Sequence, residues 1–498
     1  MSGAAVAVDA RGGGRARLAS RGALLAVVAL TLLAAALRFS TLDLQSYWYN
    51  EAATALLTKL SLGDMLDRIP RMEGNPPVYY VVAWLWAKVF GTGEAGLRSL
   101  SALCGTALVP VAYAAGARLA STRAGVALAA LAACSPLLVW FSQEARPYIL
   151  LALLTALAMI AFLRCLESWR TRDLAWWAGL SVLALATHYF ALVVIVPQLA
   201  WLAWRAPQRR AVLLAAAPIV AVAAALVPLA SDQSSPATTS IPGALGTRIL
   251  ELPKQLLMGF DAPGELPLTV AAALLVLAGA WLAFARTEPG ARRGAALAGG
   301  LGAVAVAGVI AAALVGVDYL NTRNMIEVWL PLAAVPAIGF AAPRAGRLGA
   351  AAVVVLCALS LTAVLGVDAN RAFQRDDWRG AAHALGPATV PRVIIVTPGD
   401  GVLPLRIYLP HARMVRTGDT VREIDVLGVA LRRKQGEGPQ QPTRVPEMAY
   451  PQFRLVAARR DRLFLVARYR SDTPVAVSSG ILQNSRASHV SALYLYEP

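Results

Sequence analysis

Five short polar islands between long apolar runs hold the side chains of this 498-residue chain that could do chemistry. The first reads Ser46-Tyr47-Trp48-Tyr49-Asn50-Glu51-Ala52-Ala53-Thr54. Glu51, among aromatics just after the first apolar run, would sit at the lipid–water interface, the depth that Trp and Tyr favour. A carboxylate held there can take a proton from an acceptor hydroxyl. An ordinary solvated loop acid beside an aromatic belt gives the same pattern. The second island, Asn75-Pro76-Pro77-Val78-Tyr79-Tyr80, carries two prolines that can fix the entry to a helix. The third, Trp140-Phe141-Ser142-Gln143-Glu144-Ala145-Arg146-Pro147-Tyr148, combines one acid, one guanidinium and one amide. Arg146 can hold a phosphate oxygen pair bidentately, and Glu144 can orient Arg146 or an acceptor. A local Glu144–Arg146 pair closing a tight turn is the competing structural reading. His188 and Tyr189 interrupt an apolar stretch. A lone histidine in that setting is more often a satisfied polar residue than a ligand. No second histidine or acid stands at metal-ligand spacing, so a divalent metal has no ligand cluster to support it and no cofactor is called. The fifth, Asp318-Tyr319-Leu320-Asn321-Thr322-Arg323-Asn324, offers Arg323 as a second phosphate ligand or as a snorkelling anchor.

The elements that must position these islands are membrane helices. Apolar residues make up 57% of the chain and charged residues 15%, with a mean hydropathy of +0.57. Soluble domains carry about 25% charged residues, so a purely soluble enzyme is excluded, and so is a disordered chain. The net charge of +17 comes largely from short arginine clusters between apolar runs, the pattern of cytoplasmic loops rather than of a nucleic-acid surface. The four cysteines all lie in apolar runs without CxxC spacing, which predicts neither a disulfide framework nor a thiolate metal site.

Residues 1–21 are polar and hold Arg11, Arg15, Arg17 and Arg21; an apolar run over 22–37 follows. That run leads into Arg38 rather than a small-residue cleavage site, so an uncleaved first helix with a cytoplasmic N-terminus is preferred to a signal peptide. Further spans are predicted over 98–117, 124–140, 147–166, 174–188, 189–204, 211–230, 266–285, 295–316, 327–342 and 347–367. Residues 77–91 are apolar but break the inside–outside alternation, as a crossing or as a re-entrant or interfacial helix. The total expected is 11–13 spans in a transmembrane domain over 22–368, with a first extracytoplasmic loop over 41–76. Placing the arginine clusters inside puts all five islands on the outer face. Ionisable groups at membrane depth are costly, and such a cluster is a functional candidate. From about 369 charged residues return, and short β-branched runs at 393–397, 403–409, 452–457 and 463–468 read as strands. The segment 432–447 reads as a loop. Residues 369–498 are expected to form a soluble extracytoplasmic α/β domain.

The order of the islands resembles the polytopic C-type (GT-C) glycosyltransferases that use polyprenyl-phosphate sugars. It is most similar to the bacterial glycosyltransferase family 39 branch, related to the protein O-mannosyltransferases and the lipid A aminoarabinose transferase. The family's aromatic-x-Asp-Glu-Ala motif corresponds to Trp48-Tyr49-Asn50-Glu51-Ala52, and its His-Pro-Pro-hydrophobic-Tyr-Tyr to the run from Asn75 to Tyr80. Its Glu-x-x-x-Arg-hydrophobic-x-Ser-Ala corresponds to the run from Glu94 through Arg98 to Ala102. Ser-Gln-Glu-Ala-Arg-x-Tyr matches from Ser142 to Tyr148, Thr-His-Tyr from Thr187 to Tyr189, and Asp-Trp-Arg at Asp377-Trp378-Arg379. The Arg-Tyr-like motif before a late helix matches loosely, from Asn321 to Asn324. The resemblance implies a GT-C fold and transfer of a sugar from a polyprenyl phosphate on the extracytoplasmic side of a bacterial plasma membrane, with inversion and a first-loop carboxylate as base. It departs at two positions. The family's first acid is Asn50 here, and its His is Asn75.

Glu51 is accordingly expected as the acceptor base or its orienter, with Asn50 beside it, and Glu144 as a shaper of the acceptor site. Arg146, Arg98 and Arg323 are expected on the donor phosphate, with Gln143, His188, Tyr189, Asn75 and Tyr79 as further substrate contacts. Usage rich in Ala, Arg, Gly and Val hints at a high-GC bacterium, where the donor could be decaprenyl-phosphate mannose or arabinose and the acceptor an envelope glycan, lipid or protein. A transporter or flippase of a lipid-linked sugar, and a GT-C-like scaffold without catalysis, are the alternatives.

Overall fold

A computed structural model describes residues 21–233, 243–429, 445–446, 448, 450–461, 463–478, 482 and 492–498. Residues 1–20 and most of the 432–447 segment lie outside the described residues. The first apolar run forms α1 (Arg21–Phe39). After it come α2 (Tyr49–Thr58) and α3 (Leu62–Met72), which make the first loop, then α4 (Val78–Phe90) and the long α5 (Glu94–Leu119). In α3 only Met65 and Ile69 are buried, an i, i+4 stripe, and the Ser61 hydroxyl caps the helix by accepting from Asp64 N–H at 3.2 Å.

The predicted run 124–140 is broken into α6 (Thr122–Cys134) and α7 (Pro136–Ser142), bent by 56° at Ser135-Pro136. α8 (Tyr148–Ser168), α9 (Thr171–Thr187), α10 (Leu192–Arg205) and α11 (Arg209–Gln233) follow. After α12 (Leu245–Met258) come α13 (Glu265–Ala285), α14 (Pro289–Leu314), α15 (Trp329–Phe340) and α16 (Gly346–Ala369). Apolar side chains such as Leu24, Leu25, Leu213, Leu214, Leu274 and Leu277 are exposed, as lipid-facing groups should be.

The described residues hold seven helices long and apolar enough to cross a membrane, or eight if the bent α6–α7 pair is one span. This falls short of the expected 11–13. The apolar runs are helical, but α4, α9, α10 and α15 have 13, 17, 14 and 12 residues. At 1.5 Å per residue the shorter ones cover about 20 Å of a hydrocarbon core about 30 Å thick. Turns that carry the polar islands take the residues that full spans would have used.

Small residues bring the helices together. A Cβ on Gly125 of α6 would meet Tyr113 O of α5 at 2.5 Å, and one on Gly339 of α15 would meet Gly279 O of α13 at 1.8 Å. α5, α6 and α7 converge on Arg38 of α1, which is fully buried. Its Nε donates to Ser142 Oγ at 3.0 Å, and its Nη groups donate to Ala132 O and Ala133 O, both at 3.0 Å. Arg38 thus satisfies orphan carbonyls at the end of α6. A Cβ on Gly105 of α5 would lie 1.9 Å from Ser142 Oγ and 2.9 Å from Arg38 Nε. Gly105→Ala is therefore expected to cost about 1–3 kcal/mol, seen as a lower midpoint of thermal unfolding in detergent. An unchanged midpoint would mean that the Ser142 side chain can turn away at no cost.

Beyond α16 the chain forms a six-stranded sheet with α17 (Trp378–Leu385) and α18 (Val402–Tyr408). Its strands are β1 (Arg392–Thr397), β2 (Arg413–Met414), β3 (Thr420–Val429), β4 (Arg454–Arg460), β5 (Phe464–Ala476) and β6 (Leu493–Glu497), in the order β2-β6-β1-β3-β5-β4. β1 runs parallel to β3 and antiparallel to β6, and β5 is antiparallel to both β3 and β4. Every residue of β1 is buried. Ile394 and Val396 pack on the α17–α18 side and Val393 and Ile395 on the other, the period-2 alternation of a central strand. The run 403–409, predicted as a strand, is the helix α18. Its buried Val402 and Leu405 stand three residues apart and face Trp378, a helical spacing.

Candidate active site

The polar islands meet around a cavity of about 1210 Å³. Its walls come from the starts of α2 and α8, the end of α3 with the turn after it, the His188 turn, the end of α11, and the segment before α15; Leu403 of α18 reaches its mouth. Of the residues singled out from the sequence, Asn50, Asn75, Arg146, His188, Tyr189 and Arg323 line it.

Arg146 sits in the tight turn between α7 and α8. Its Nη1 donates to the Glu73 carboxylate at 2.8 and 2.6 Å, to Asn50 O at 3.1 Å and to Thr54 Oγ1 at 3.3 Å. Burial works against the Arg146 charge, but Glu73 outweighs it and raises the guanidinium pKa well above its ordinary value. The Nε of Arg146 is buried without a hydrogen-bond partner. Tyr80 O–H donates to Glu73 Oε2 at 2.7 Å. Arg323 contrasts with Arg146. Its backbone N–H is capped by Asn321 Oδ1 at 3.1 Å, while its guanidinium, half-buried on the cavity wall, has no hydrogen bond or ion pair among the described residues.

The opposite wall presents neutral hydrogen-bonding side chains beside the exposed Asp232. Tyr189 O–H donates to Gln233 Oε1 at 2.7 Å, and Gln233 Nε2 donates to Asn75 O at 3.2 Å. His188 Nδ1 accepts from Phe190 N–H at 3.2 Å. Burial, with Arg146 and then Arg323 adding to it, lowers the His188 pKa to about 3, so the ring is uncharged at neutral pH.

Five expected site residues lie off this wall. Glu51 is fully buried. Arg98 Nε and Nη2 donate to its two oxygens at 2.7 and 2.6 Å, and Ala145 N–H donates to Oε1 at 2.9 Å. Burial alone would raise the Glu51 carboxyl; Arg98, helped by Arg375 and the Ala145 N–H, outweighs burial and holds it below the usual range. The interfacial carboxylate expected from the sequence is thus an internal ion pair. Arg98, expected on the donor phosphate, directs its remaining hydrogens to Leu42 O, Gln45 O and Ser46 O at 2.8, 2.7 and 3.0 Å. Gln143 Nε2 donates to Leu37 O at 3.0 Å and Thr41 Oγ1 at 2.6 Å, holding the end of α1 away from the cavity. Tyr79 is buried, edge to face with Tyr80 at 5.5 Å. Glu144 does not pair with Arg146; its Oε2 accepts from Arg375 Nη2 at 3.2 Å.

Two residues that hold this site together were not picked out from the sequence. Glu73, the partner of Arg146, lies just before Gly74-Asn75-Pro76-Pro77, and its position there was the available signal. Arg375, which stacks over Trp140 at 4.0 Å, lies 231 residues from Glu144, and no local pattern joins them. Among the described residues, no group of three or more His, Cys, Asp or Glu side chains is placed to hold a metal ion.

Residues 74–231 match the family described as dolichyl-phosphate-mannose-protein mannosyltransferase. Two crystal structures of ArnT from Cupriavidus metallidurans share the fold. The form bound to undecaprenyl phosphate aligns with a TM-score of 0.54 at 14% identity, over 90% of this chain and 98% of that one. The apo form gives 0.55 at 13% identity over the same shares. No curated protein matches the chain in sequence. The resemblance read from the motifs is borne out: the chain has the GT-C fold, with a multi-pass helical membrane region and a C-terminal sheet.

Proposed function

We propose that the chain is a membrane glycosyltransferase that moves a sugar from a polyprenyl-phosphate donor to an extracytoplasmic cell-envelope glycan, lipid or protein. The observation that carries this reading is Arg323, a cation on the wall of a large cavity with no counter-ion among the described residues, facing the same space as Arg146. A cation left without a protein partner on a cavity wall at the end of membrane helices is a candidate to bind a ligand of opposite sign. A phosphate monoester or diester with an apolar tail is such a ligand, and it suits a site at the end of membrane helices. The match to a mannosyltransferase family over residues 74–231, and the shared fold with a protein crystallised on undecaprenyl phosphate, support the same donor class.

In this reading the acceptor oxygen attacks the anomeric carbon from the side opposite the phosphate. The polyprenyl phosphate leaves with the electron pair, and the configuration inverts. Arg146 and Arg323 stabilise the charge that grows on the leaving phosphate. Asn50, Asn75, His188 and Tyr189 are neutral donors and acceptors suited to sugar hydroxyls. The N-terminus is cytoplasmic, and the cavity and the sheet domain face the outside. The scaffold reading has one observation in its favour: an amide stands at position 50, and the neighbouring Glu51 is locked to Arg98.

Sugar transfer by the purified protein in lipid separates the two. Decaprenyl-phosphate mannose and decaprenyl-phosphate arabinose would be offered with envelope glycan acceptors. Transfer of either sugar supports the enzyme, whereas donor binding without turnover supports the scaffold. Arg323→Ala is expected to weaken decaprenyl phosphate binding about 10- to 100-fold, the worth of one charged hydrogen-bonding partner. It should leave thermal stability unchanged, since no protein group is left unpaired. Equal affinity in the variant would move the phosphate elsewhere.

A further inference from the structure

We propose that Glu73 is the general base for the acceptor hydroxyl. This rests on the glycosyltransferase reading above and adds the group that accepts the proton. An inverting transfer needs a basic atom on the cavity wall that is fixed in place and has an unused lone pair. Asn50 has no basic atom. Glu51 has both oxygens occupied behind the wall. Glu144 lies outside the cavity lining, against Arg375. His188 has its Nδ1 engaged by a backbone N–H. Asp67 and Asp232 line the cavity but are solvent-exposed, and no hydrogen bond or ion pair among the described residues orients their side chains beyond the helices that carry them.

Glu73 is the buried carboxylate that lines the cavity among the described residues. Its oxygens are fixed from two sides, by Arg146 Nη1 at 2.8 and 2.6 Å and by Tyr80 O–H at 2.7 Å on Oε2. Among the described residues Oε1 accepts from Arg146 alone and keeps a lone pair, since a carboxylate oxygen can accept two bonds. The chain reaches this arrangement through the turn after α3. That turn brings Glu73 back over the first turn of α2, where Arg146 also contacts Asn50 O.

The step balances within the named groups. The acceptor oxygen forms its bond to the anomeric carbon as the bond from that carbon to the phosphate oxygen breaks. The bonding pair leaves on polyprenyl phosphate, and the hydroxyl proton passes to Glu73 Oε1 and then to water in the cavity. Arg146 couples the two ends of the reaction. A phosphate on the guanidinium would share it with Glu73.

The test uses the full chain in lipid, with decaprenyl-phosphate mannose and decaprenyl-phosphate arabinose as donors and with octyl mannoside and water as acceptors. Decaprenyl phosphate alone measures binding. Glu73→Gln keeps the shape and an acceptor oxygen, and is expected to lower kcat about 10²- to 10⁴-fold. Decaprenyl phosphate affinity should stay within a few-fold, and the acidic limb of the pH–rate profile should be lost. Glu73→Asp should fold, bind and regain part of the rate. A Glu73→Gln protein that transfers as fast as wild type overturns the assignment. So does a loss of donor affinity that accounts for the whole loss of rate, since Glu73 would then only position Arg146. A wild-type protein that neither binds decaprenyl phosphate nor transfers either sugar overturns the glycosyltransferase reading itself. Failure of the base alone shows instead as an active wild type beside an indifferent Glu73→Gln.

Discussion

Arg98→Ala is expected to destabilise the membrane region by about 3–5 kcal/mol, the cost of leaving one member of a buried ion pair alone. Arg98 and Glu51 are both buried, with their closest approach at 2.6 Å. The guanidinium also gathers three carbonyls of the chain between α1 and α2, those of Leu42, Gln45 and Ser46. Its loss strands a carboxylate and three acceptors at once. Glu51→Gln should be destabilising for a related reason. An amide nitrogen would then face a guanidinium N–H, donor against donor. Arg98→Met combined with Glu51→Leu should recover much of the loss, because an apolar pair leaves nothing buried and unpaired. Unfolding midpoints in detergent of wild type, Arg98→Met, Glu51→Leu and the double variant, taken as a double-mutant cycle, give the coupling directly. The Glu51→Gln variant decides the role of Glu51. A base would lose turnover in Glu51→Gln at an unchanged midpoint, whereas a brace loses the midpoint first.

That contrast shows how far the site could be read in the sequence. The islands were legible because charge and aromatic density stand out against apolar runs, and six of the named residues line one cavity. Burial was not legible. Glu51 and Arg146 lie in similar islands, yet one is enclosed by an arginine 47 residues on, while the other opens on the cavity. Such pairings depend on helix packing, which periodicity does not encode. The helical character of the membrane region followed from hydropathy, but the number of full crossings did not. Pro136 breaks one run, and polar turns shorten others. In the sheet domain, continuous apolar runs marked β1 correctly and misassigned α18, because a seven-residue apolar stretch fits either period.

Arg375→Ala is expected to unseat the sheet domain from the active-site turn, at a cost of about 3–5 kcal/mol. Arg375 lies between α16 and α17, where the chain passes from membrane helix to sheet domain. Its guanidinium stacks on Trp140 at 4.0 Å and donates to Glu144 Oε2 at 3.2 Å and Gln143 O at 3.4 Å. The surrounding contacts point the same way. Tyr408 O–H donates to Glu94 Oε1 at 2.7 Å, the Tyr408 oxygen accepts from Tyr47 N–H at 2.8 Å, and Ser46 O–H donates to Asp376 O at 2.7 Å. The sheet domain is thus bound to the loop that also carries Asn50 and to the turn that carries Arg146, so loosening it should lower transfer as well as stability. Glu144→Gln should be milder. Burial, against the pull of Arg375, already raises the Glu144 carboxyl above its ordinary value. The sign follows from linkage. Between the unfolded value of about 4.3 and its raised folded value, the native protein holds a proton that the unfolded chain releases, so wild-type stability falls as pH rises through that window. Glu144→Gln removes this slope. Denaturant unfolding of wild type and Glu144→Gln across that pH range should show the two converging on the acid side and separating as pH rises. Parallel curves would mean that Glu144 stays ionised in the fold and that Arg375 holds it as a full ion pair.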